Sequence, residues 1–280
     1  MLHLSLASRE RVTAVKLTIL GSGSSGNTAL LSTERTRLLL DAGLSKRETL
    51  KRLEAAGLLG EAITAILISH EHADHAAHLA ALAEEFAVPV YMSEGTREAL
   101  EESQALDGLA AVESFRPGRT FFIGDIEIAP FVIPHDAREP VGFRFAAAGV
   151  KLAVAVDLGF LTHLVKEQLR ECDAIVLEAN HDLEMLRQGP YPWFIKQRVM
   201  SRLGHLSNDA LAAFLEHDFD GAAHFFVLAH LSENNNSPEL ARMAAAQALE
   251  RRRGRFPLSL AVAPELLVTS QRAVVGPLRF

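Results

Sequence analysis

Short apolar runs alternate with amphipathic stretches along the whole chain. Runs of four to eight apolar residues bounded by turn residues are typical of strands, and apolar positions three and four apart are typical of helices. The pattern predicts strands over residues 15–20, 29–32, 37–40, 63–69, 88–92, 111–115, 119–123, 126–134, 141–146, 150–156, 174–179, 224–229, 258–262 and 266–269. It predicts helices over residues 45–56, 76–86, 96–104, 161–170, 193–203 and 207–216, and a last long helix from residue 237.

The order of these elements favours one fold class. Hairpins are followed by strand–helix units, first in one half of the chain and then in the other, which indicates two sheets packed face to face with helices outside. No repeat, low-complexity tract or linker interrupts the pattern, so we expect a single domain over residues 1–280. Residues 1–13 lack the apolar core of a signal peptide and are predicted to be an N-terminal extension.

Composition restricts the cellular setting. The chain has one cysteine, Cys172, so no internal disulfide can form, which fits a reducing compartment. Cys172 adjoins a predicted strand, and we expect it to fill the core. No apolar run is long enough to span a membrane. The sequence therefore predicts a cytoplasmic protein without a membrane partner, and it does not specify an oligomeric state.

The charge of the chain does not indicate nucleic-acid binding, because the formal net charge is −7. It does not exclude such binding, since bound metal ions add local positive charge. The basic run of residues 251–253 precedes Gly254, which is typical of a helix C-terminus. Contact of this run with phosphate is the alternative.

The densest chemistry lies in residues 68–75, where three imidazoles and a carboxylate follow an apolar strand and precede a helix. These residues are His70, His72, Asp74 and His75. Buried polar groups at this density need partners or a metal ion. A solvated histidine-rich turn is the alternative.

Other metal-competent residues follow predicted strands in the same way. They are Asp41, His135, Asp157 and His230. If these strand ends share one edge of the sandwich, the side chains converge there. A histidine-rich, cysteine-free set with carboxylates suits zinc, manganese or iron(II).

The H-x-H-x-D-H stretch, with the strand-end residues in this order, resembles the metallo-β-lactamase superfamily over residues 15 to about 269, most closely its YycJ/WalJ-like exonuclease subgroup. The segments that carry the resemblance are residues 21–27, 41–43, 70–75, 134–137, 157–159, 178–182, 204–208 and 230–232. The resemblance implies an α/β fold, the four-layer αβ/βα sandwich. Residues 157–205 are too few to hold a β-CASP insertion.

The resemblance also implies a site for two divalent ions, zinc or manganese. By position, His70, His72 and His135 would hold the first ion. Asp74, His75 and His230 would hold the second ion. Asp157 would bridge the two ions, and Asp41 would fix a ligand imidazole.

Two residues bear on the substrate class that the resemblance implies. Asp157 stands where members that cleave β-lactams commonly carry cysteine, whereas aspartate is usual in thioesterases, glyoxalases and nucleases. His205 resembles the histidine that contacts the scissile phosphate in phosphodiesterase branches, and a helix-capping loop residue is the alternative. We expect a metal-dependent phosphodiesterase, an exonuclease with a nucleic-acid substrate, DNA rather than RNA. A thioester or lactone hydrolase and a metal-binding module without activity remain the alternatives.

In the mechanism expected from these residues, a hydroxide shared by two metal ions attacks phosphorus. Asp74 orients the hydroxide or takes its proton, as a general base would. His205 and the ions stabilise the charge on the phosphoryl oxygens, or His205 protonates the leaving oxygen.

Several further side chains are predicted to contact substrate. Ser24, Ser25 and Asn27 belong to a glycine-rich loop whose N–H groups suit a phosphate, with a plain tight turn as the alternative. His181 and Asn208 are expected to line the groove, although His181 and its neighbours Asn180 and Asp182 could instead cap a helix. Trp193 is expected in the core, and base stacking by Trp193 and Tyr191 is the alternative.

Overall fold

Two seven-stranded sheets form the framework of the computed structural model, which describes residues 15–255 and 263–280. The first sheet has the spatial order β14 (Val275–Arg279), β1 (Lys16–Gly21), β2 (Thr28–Ser32), β3 (Arg37–Leu40), β4 (Ala65–Leu67), β5 (Val90–Ser93) and β6 (Val112–Phe115). The second has the order β13 (Glu265–Val268), β12 (Phe225–Ala229), β11 (Ala174–Glu178), β10 (Val150–Ala155), β9 (Val141–Ala147), β8 (Ile126–Val132) and β7 (Phe121–Ile123).

Nine helices accompany the sheets in the described ranges. They are α1 (Lys46–Ala55), α2 (Ala73–Ala76), α3 (Leu79–Phe86), α4 (Glu94–Glu102), α5 (His163–Gln168), α6 (Leu183–Gln188), α7 (Trp193–Val199), α8 (Asn208–His217) and α9 (Pro238–Arg255). None of the helices in the described part of the chain has both the length and the apolar character needed to cross a bilayer.

Both sheets follow the same pairing plan. Strands β14, β1, β2 and β3 pair antiparallel, and β3 to β6 pair parallel. Strands β7 to β10 pair antiparallel, and β10 to β13 pair parallel. Since parallel strands end at the same edge of their sheet, the residues after β3 and β4 lie together, as do those after β10, β11 and β12.

Three apolar clusters hold the layers together. Alternate side chains of a strand point to opposite faces, so Leu38 and Leu40 pack between the two sheets while Leu39 packs under the helices of the first sheet. Likewise Val176 packs between the sheets and Ile175 under the helices of the second sheet. Two sheets with an apolar cluster on each face require helices outside both. The predicted four-layer sandwich is confirmed.

The boundaries of several elements differ from the prediction. The helix predicted over residues 76–86 is two helices, α2 and α3, and the helix predicted over residues 193–203 ends at Val199. Helix α6 and strand β14 were not predicted, because six residues are too few to show a helical period and Gly276 and Pro277 interrupt the apolar pattern of β14. The predicted N-terminal extension and the strand predicted over residues 258–262 lie outside the described residues.

Two predictions about single residues are wrong. Trp193 is 63% exposed instead of buried in the core, because it lies on the outer side of α7. Gly254 lies within α9 rather than beyond its end. Cys172, by contrast, is buried in the cluster of the second sheet, and burial raises the pKa of its thiol to about 11, so it packs as an apolar residue.

Candidate metal centre and catalytic site

Three strand ends that carry candidate residues have an unusual backbone. Asp41, Asp157 and His230 follow β3, β10 and β12 with φ angles of 58°, 58° and 55°. Residues other than glycine rarely adopt this left-handed conformation, and those that do are often found at functional sites. The turn at each strand end brings its side chain to the common edge of the sandwich.

One cluster of possible ligands consists of His70, His72 and His135. The ligand atoms of this group lie within 4.8 Å of one another, and His135 Nε2 is 3.2 Å from His72 Nδ1. His70 Nδ1 is 3.0 Å from the Ser69 hydroxyl, and His135 Nδ1 is 3.2 Å from the Gly204 carbonyl oxygen. These contacts orient His70 and His135 so that their Nε2 atoms are available to an ion.

A second cluster consists of Asp74, His75 and His230. Asp74 Oδ2 lies 3.3 Å from His230 Nε2 and 3.6 Å from His75 Nε2. Asp41 Oδ2 lies 2.7 Å from His75 Nδ1, and Asp41 also accepts a hydrogen bond from the Ser69 backbone N–H. Asp41 therefore holds the His75 ring through Nδ1, on the side of the ring opposite to the Nε2 atom that faces the cluster.

Asp157 lies between the two clusters and is almost fully buried. Its Oδ2 atom is 2.7 Å from His75 Nε2, and its Oδ1 atom is 4.0 Å from His135 Nε2. The short approach to His75 lacks the alignment of a hydrogen bond, since Asp157 Oδ2 has no hydrogen-bond partner among the described residues.

The donor set fits divalent metal ions. Besides Asp157 Oδ2, the Nε2 atom of His70 is buried and has no hydrogen-bond partner in the described ranges. A buried imidazole nitrogen without a partner is costly, and metal coordination removes that cost. Imidazoles and carboxylates without thiolates suit zinc and manganese.

Burial and mutual charge shift the pKa values of the ligands in opposite directions. Burial, with repulsion from neighbouring imidazoles, lowers the pKa values of His70 and His135. Burial also acts to lower those of His75 and His230, but adjacent carboxylates outweigh it and raise the pKa of His230 to about 9. The imidazoles around Asp157 outweigh burial and hold its pKa well below the ordinary value. An ion bound here would displace the protons of His75 and His230.

Glu178 is a site residue that the sequence analysis did not assign to the site. It ends β11, is fully buried, and its carboxylate accepts from the backbone N–H groups of Leu158 and Leu206. Its Oε1 atom also lies 2.8 Å from His205 Nδ1 and 3.0 Å from His230 Nδ1. Charged partners outweigh burial and lower its pKa to about 2. The available signal was a glutamate at the end of an apolar strand, since a buried charge needs partners.

His205 stands at the same edge, next to both clusters. Its ring centroid is 5.4 Å from those of His135 and His230, and its side chain is 21% exposed. Glu178 holds the ring through Nδ1, so the Nε2 atom is not engaged by this carboxylate. Burial acts to lower the pKa of His205, but the carboxylates of Glu178 and Asp157 raise it well above the ordinary value.

The glycine-rich loop is closed by Asn27. The Asn27 Oδ1 atom accepts from the Ser22 hydroxyl and the Gly23 N–H, and its Nδ2 atom lies 3.0 Å from His75 Nε2. Asn27 is buried and links the loop to the second cluster instead of facing solvent. Ser24 and Ser25 are exposed at the tip, and their contact with substrate stays a prediction.

The structure does not expose His181 and Asn208 at the surface of the site. Both side chains are buried, and Asn208 exchanges two amide hydrogen bonds with Asn236. Asp182 caps α6 by accepting from the N–H groups of Glu184 and Met185, so the capping alternative holds for Asp182. Substrate contact by His181 and Asn208 stays a prediction.

Comparison with known proteins identifies the family. The family model described as "Beta-lactamase superfamily domain" matches residues 36–230, more than half of the chain. The chain belongs to the beta-lactamase superfamily. Within this superfamily it is similar to "Exodeoxyribonuclease YycJ" of Bacillus anthracis, with 41% identity over 236 residues, 83% of this chain and 88% of that protein. It is 37% identical to "Exodeoxyribonuclease WalJ" of Streptococcus pneumoniae, over 84% of this chain and 88% of that protein.

A solved structure has a similar fold. The crystal structure of Zn(2+)-bound PqqB from Methylobacterium extorquens matches with a TM-score of 0.70 and 18% identity, over 93% of this chain and 99% of that one. The comparisons confirm the predicted superfamily and its YycJ/WalJ-like subgroup, and with them that the chain is an enzyme of the hydrolase class.

Proposed function

We propose that this chain is a metal-dependent phosphodiesterase, an exonuclease that removes nucleotides from the ends of DNA. One observation carries the proposal. Two three-residue ligand clusters lie on either side of Asp157, and beside them His205 is held by the Glu178 carboxylate. This arrangement suits cleavage of a phosphodiester, which needs charge neutralisation on both sides of the phosphorus.

Two divalent ions, zinc or manganese, are the proposed cofactors. His70, His72 and His135 would hold one ion, and Asp74, His75 and His230 the other, with Asp157 shared. When bound, such ions lower the pKa of water to near neutrality and neutralise charge on phosphoryl oxygens. The similar structure of PqqB is described as Zn(2+)-bound, which supports a divalent metal ion in this fold.

Asp74 would orient the attacking water. Its Oδ2 atom lies 3.3 Å from His230 Nε2, and its side chain is 22% exposed. Burial acts to raise the pKa of Asp74, but the neighbouring histidines outweigh it, so the net shift is downward and the side chain is a carboxylate at neutral pH. It can therefore accept a hydrogen bond, and then a proton, from water aligned with the phosphorus.

His205 would bind the phosphate. With Nδ1 held by Glu178, the Nε2 atom can donate a hydrogen bond to a phosphoryl oxygen or to the leaving oxygen. A thioester or lactone hydrolase would share the metal ligands, but it would not need the additional imidazole of His205 that Glu178 holds in place. The names of the YycJ and WalJ relatives, both exodeoxyribonucleases, support DNA as the substrate. The cytoplasmic location stays a prediction.

The test is a cleavage time course on end-labelled DNA and RNA, single- and double-stranded, with added manganese, zinc or chelator. We expect stepwise, metal-dependent shortening of DNA. Asp74→Asn and His205→Ala should each lose at least a hundredfold of this activity, since positioned acid–base groups contribute roughly 10²- to 10⁴-fold. His163→Ala, an exposed histidine on α5, is the matched control and should retain full activity.

Metal content measured on the same samples separates the alternatives. His205→Ala should keep its bound ions, because His205 is outside the two three-residue clusters. It shares a further group of possible ligands with Asp157, Glu178 and His230, so loss of an ion in this variant would make His205 a metal ligand instead. Wild-type protein that carries two ions and cleaves no nucleic acid would refute the proposal and direct the search to thioesters and lactones.

A further inference from the structure

Helix α7 presents two adjacent aromatic side chains to solvent. Trp193 is 63% exposed and Phe194 is 68% exposed. Over the described residues, they are the only two exposed large apolar side chains that are neighbours in sequence. Exposed aromatics cost free energy in water unless a ligand covers them, so a paired exposure indicates a contact surface.

This helix borders the metal centre at both of its ends. Arg198 Nε lies 2.6 Å from Oδ2 of Asp136, the residue after the ligand His135. On the other side, the Tyr191 hydroxyl accepts a hydrogen bond from the Asn234 side chain, in the loop that follows β12 and His230. Residues 191–198 therefore lie between the loops that follow two ligand residues, one from each cluster.

The same segment leads directly to the catalytic histidine. The His205 N–H donates to the Val199 carbonyl oxygen at the end of α7, at 2.9 Å. A Cβ on Gly204 would lie 2.2 Å from the Arg198 carbonyl oxygen, so the glycine permits this close return of the chain. Helix α7 and His205 are thus held at a fixed separation.

A cation completes the exposed surface. Arg198 lies one helical turn after Phe194, on the same face, and is 58% exposed on its side chain. Its hydrogen bond with Asp136 raises the pKa of the guanidinium, as does the charge of Asp74, which lies within electrostatic reach. A guanidinium has five N–H donors, so the contact through Nε leaves donors for a phosphate.

We propose that the α7 surface, which consists of Trp193, Phe194 and Arg198, binds the substrate strand as it enters the metal centre. The aromatic rings stack on unpaired nucleobases, and Arg198 contacts a backbone phosphate. The inference rests on the proposed function. Aromatic faces beside a cation match a polymer that has planar bases and phosphates. In a duplex the base faces are covered by stacking, so the expected ligand is a single-stranded end.

Trp193 is the only tryptophan of the chain, so its fluorescence reports on this surface directly. The metal-loaded protein is titrated with a 12-nucleotide oligothymidylate with phosphorothioate linkages, and with an abasic strand of equal length. Stacking predicts that the oligothymidylate quenches the emission and that the abasic strand binds more weakly without quenching it. Phe194→Ala should weaken oligothymidylate binding roughly 5- to 150-fold, the range of one base–aromatic stack.

Matched variants and mass measurements complete the test. Phe122→Ala removes an equally exposed aromatic on β7, away from the site, and should bind the strand like wild type. Arg198→Gln should weaken both strands and reduce the dependence of binding on salt, because a phosphate contact releases counterions. Light scattering should give the same mass for the wild type and Trp193→Ala.

Either of two results would overturn the inference. One is equal binding of both strands with no change in fluorescence; the other is Trp193→Ala converting a dimer to a monomer, which would make the surface a self-association face. If the wild type still cleaves DNA in either case, the proposed function stands and only the inference fails. A wild type that binds the strand but cleaves no DNA would refute the proposed function instead.

Discussion

At the scale of single residues, the Glu178 carboxylate holds His205 and His230 at the edge of the sandwich that carries the candidate site. It accepts two backbone N–H groups on one oxygen and faces the Nδ1 atoms of His205 and His230 with the other. It thereby leaves the Nε2 atom of each ring facing away from Glu178. Residues that orient catalytic or ligand imidazoles usually contribute roughly 10- to 100-fold to activity or metal affinity.

We predict that Glu178→Gln lowers DNA cleavage roughly 10- to 100-fold. The substitution keeps the shape of the side chain, but an amide cannot accept all four of these hydrogen bonds, so one imidazole must change its tautomer or turn. The measurement is kcat and KM on end-labelled DNA together with metal content. Glu171→Gln, on the exposed surface, is the control. A Glu178→Gln enzyme with wild-type kcat and full metal content would contradict the role given to this carboxylate.

At the scale of elements, the site depends on a close contact between the turn after β3 and helix α2. In this contact the Ala42 N–H donates to the His75 carbonyl oxygen. Beside it, the Asn27 N–H of the glycine-rich loop donates to the Asp74 carbonyl oxygen at 2.7 Å. A Cβ on Gly43 would lie 1.8 Å from that Asp74 oxygen. Only a glycine at position 43 lets the two segments approach closely enough to fix Asp74 and His75.

We predict that Gly43→Ala destabilises the fold by about 1–3 kcal/mol or more and reduces bound metal. The new methyl group must displace backbone atoms, because no flexible side chain can yield there. Urea unfolding and metal analysis measure both effects. Gly254→Ala is the control, since a Cβ at that position would have no described atom within 4 Å and alanine favours a helix by up to about 1 kcal/mol. Full metal content and stability in Gly43→Ala would refute this account.

At the scale of elements, the sequence predicted some site residues and not others. The convergence of these residues was predicted because histidines and aspartates at the ends of parallel strands share an edge. Their division into two ligand groups was implied by the family resemblance, and both groups occur as clusters. Glu178 was not assigned to the site because a single carboxylate at the end of a strand has no characteristic spacing from other ligand residues. Trp193 was assigned to the core from its apolar character, yet its exposure depends on the distant loops that α7 contacts, which periodicity does not encode.

At the scale of the whole molecule, the metal centre joins the two halves of the sandwich. Asp74 and His75 come from the first half, whereas His230 follows β12 in the second, and the His230 N–H donates to the Ser22 hydroxyl across the interface. Packing of the two sheets therefore decides whether the second cluster forms. Anything that loosens the fold also separates its ligands, so stability and metal binding are coupled.

The free energy of unfolding of the whole fold should depend on pH through one buried histidine, His181. His181 is 1% exposed, and burial, partly offset by Glu178, lowers its pKa to about 4. Between pH 6.5 and pH 4 the unfolded chain binds a proton at this position that the folded protein does not bind. The free energy of unfolding therefore falls as the pH decreases through this window, and the loss levels off below pH 4.

We predict that His181→Gln removes part of this acid sensitivity. From pH 7 to pH 4.5 the wild type should lose about 2.4 kcal/mol more unfolding free energy than the variant. A shift of about 2.5 pKa units at about 1.36 kcal/mol each gives a full loss of about 3.4 kcal/mol, and about 70% of it is reached by pH 4.5. Urea unfolding in chelator at both pH values measures this difference, since the other titrating groups are shared and cancel. His163→Gln, exposed on α5, should follow the wild type. Parallel losses in all three proteins would mean that His181 titrates normally in the folded state.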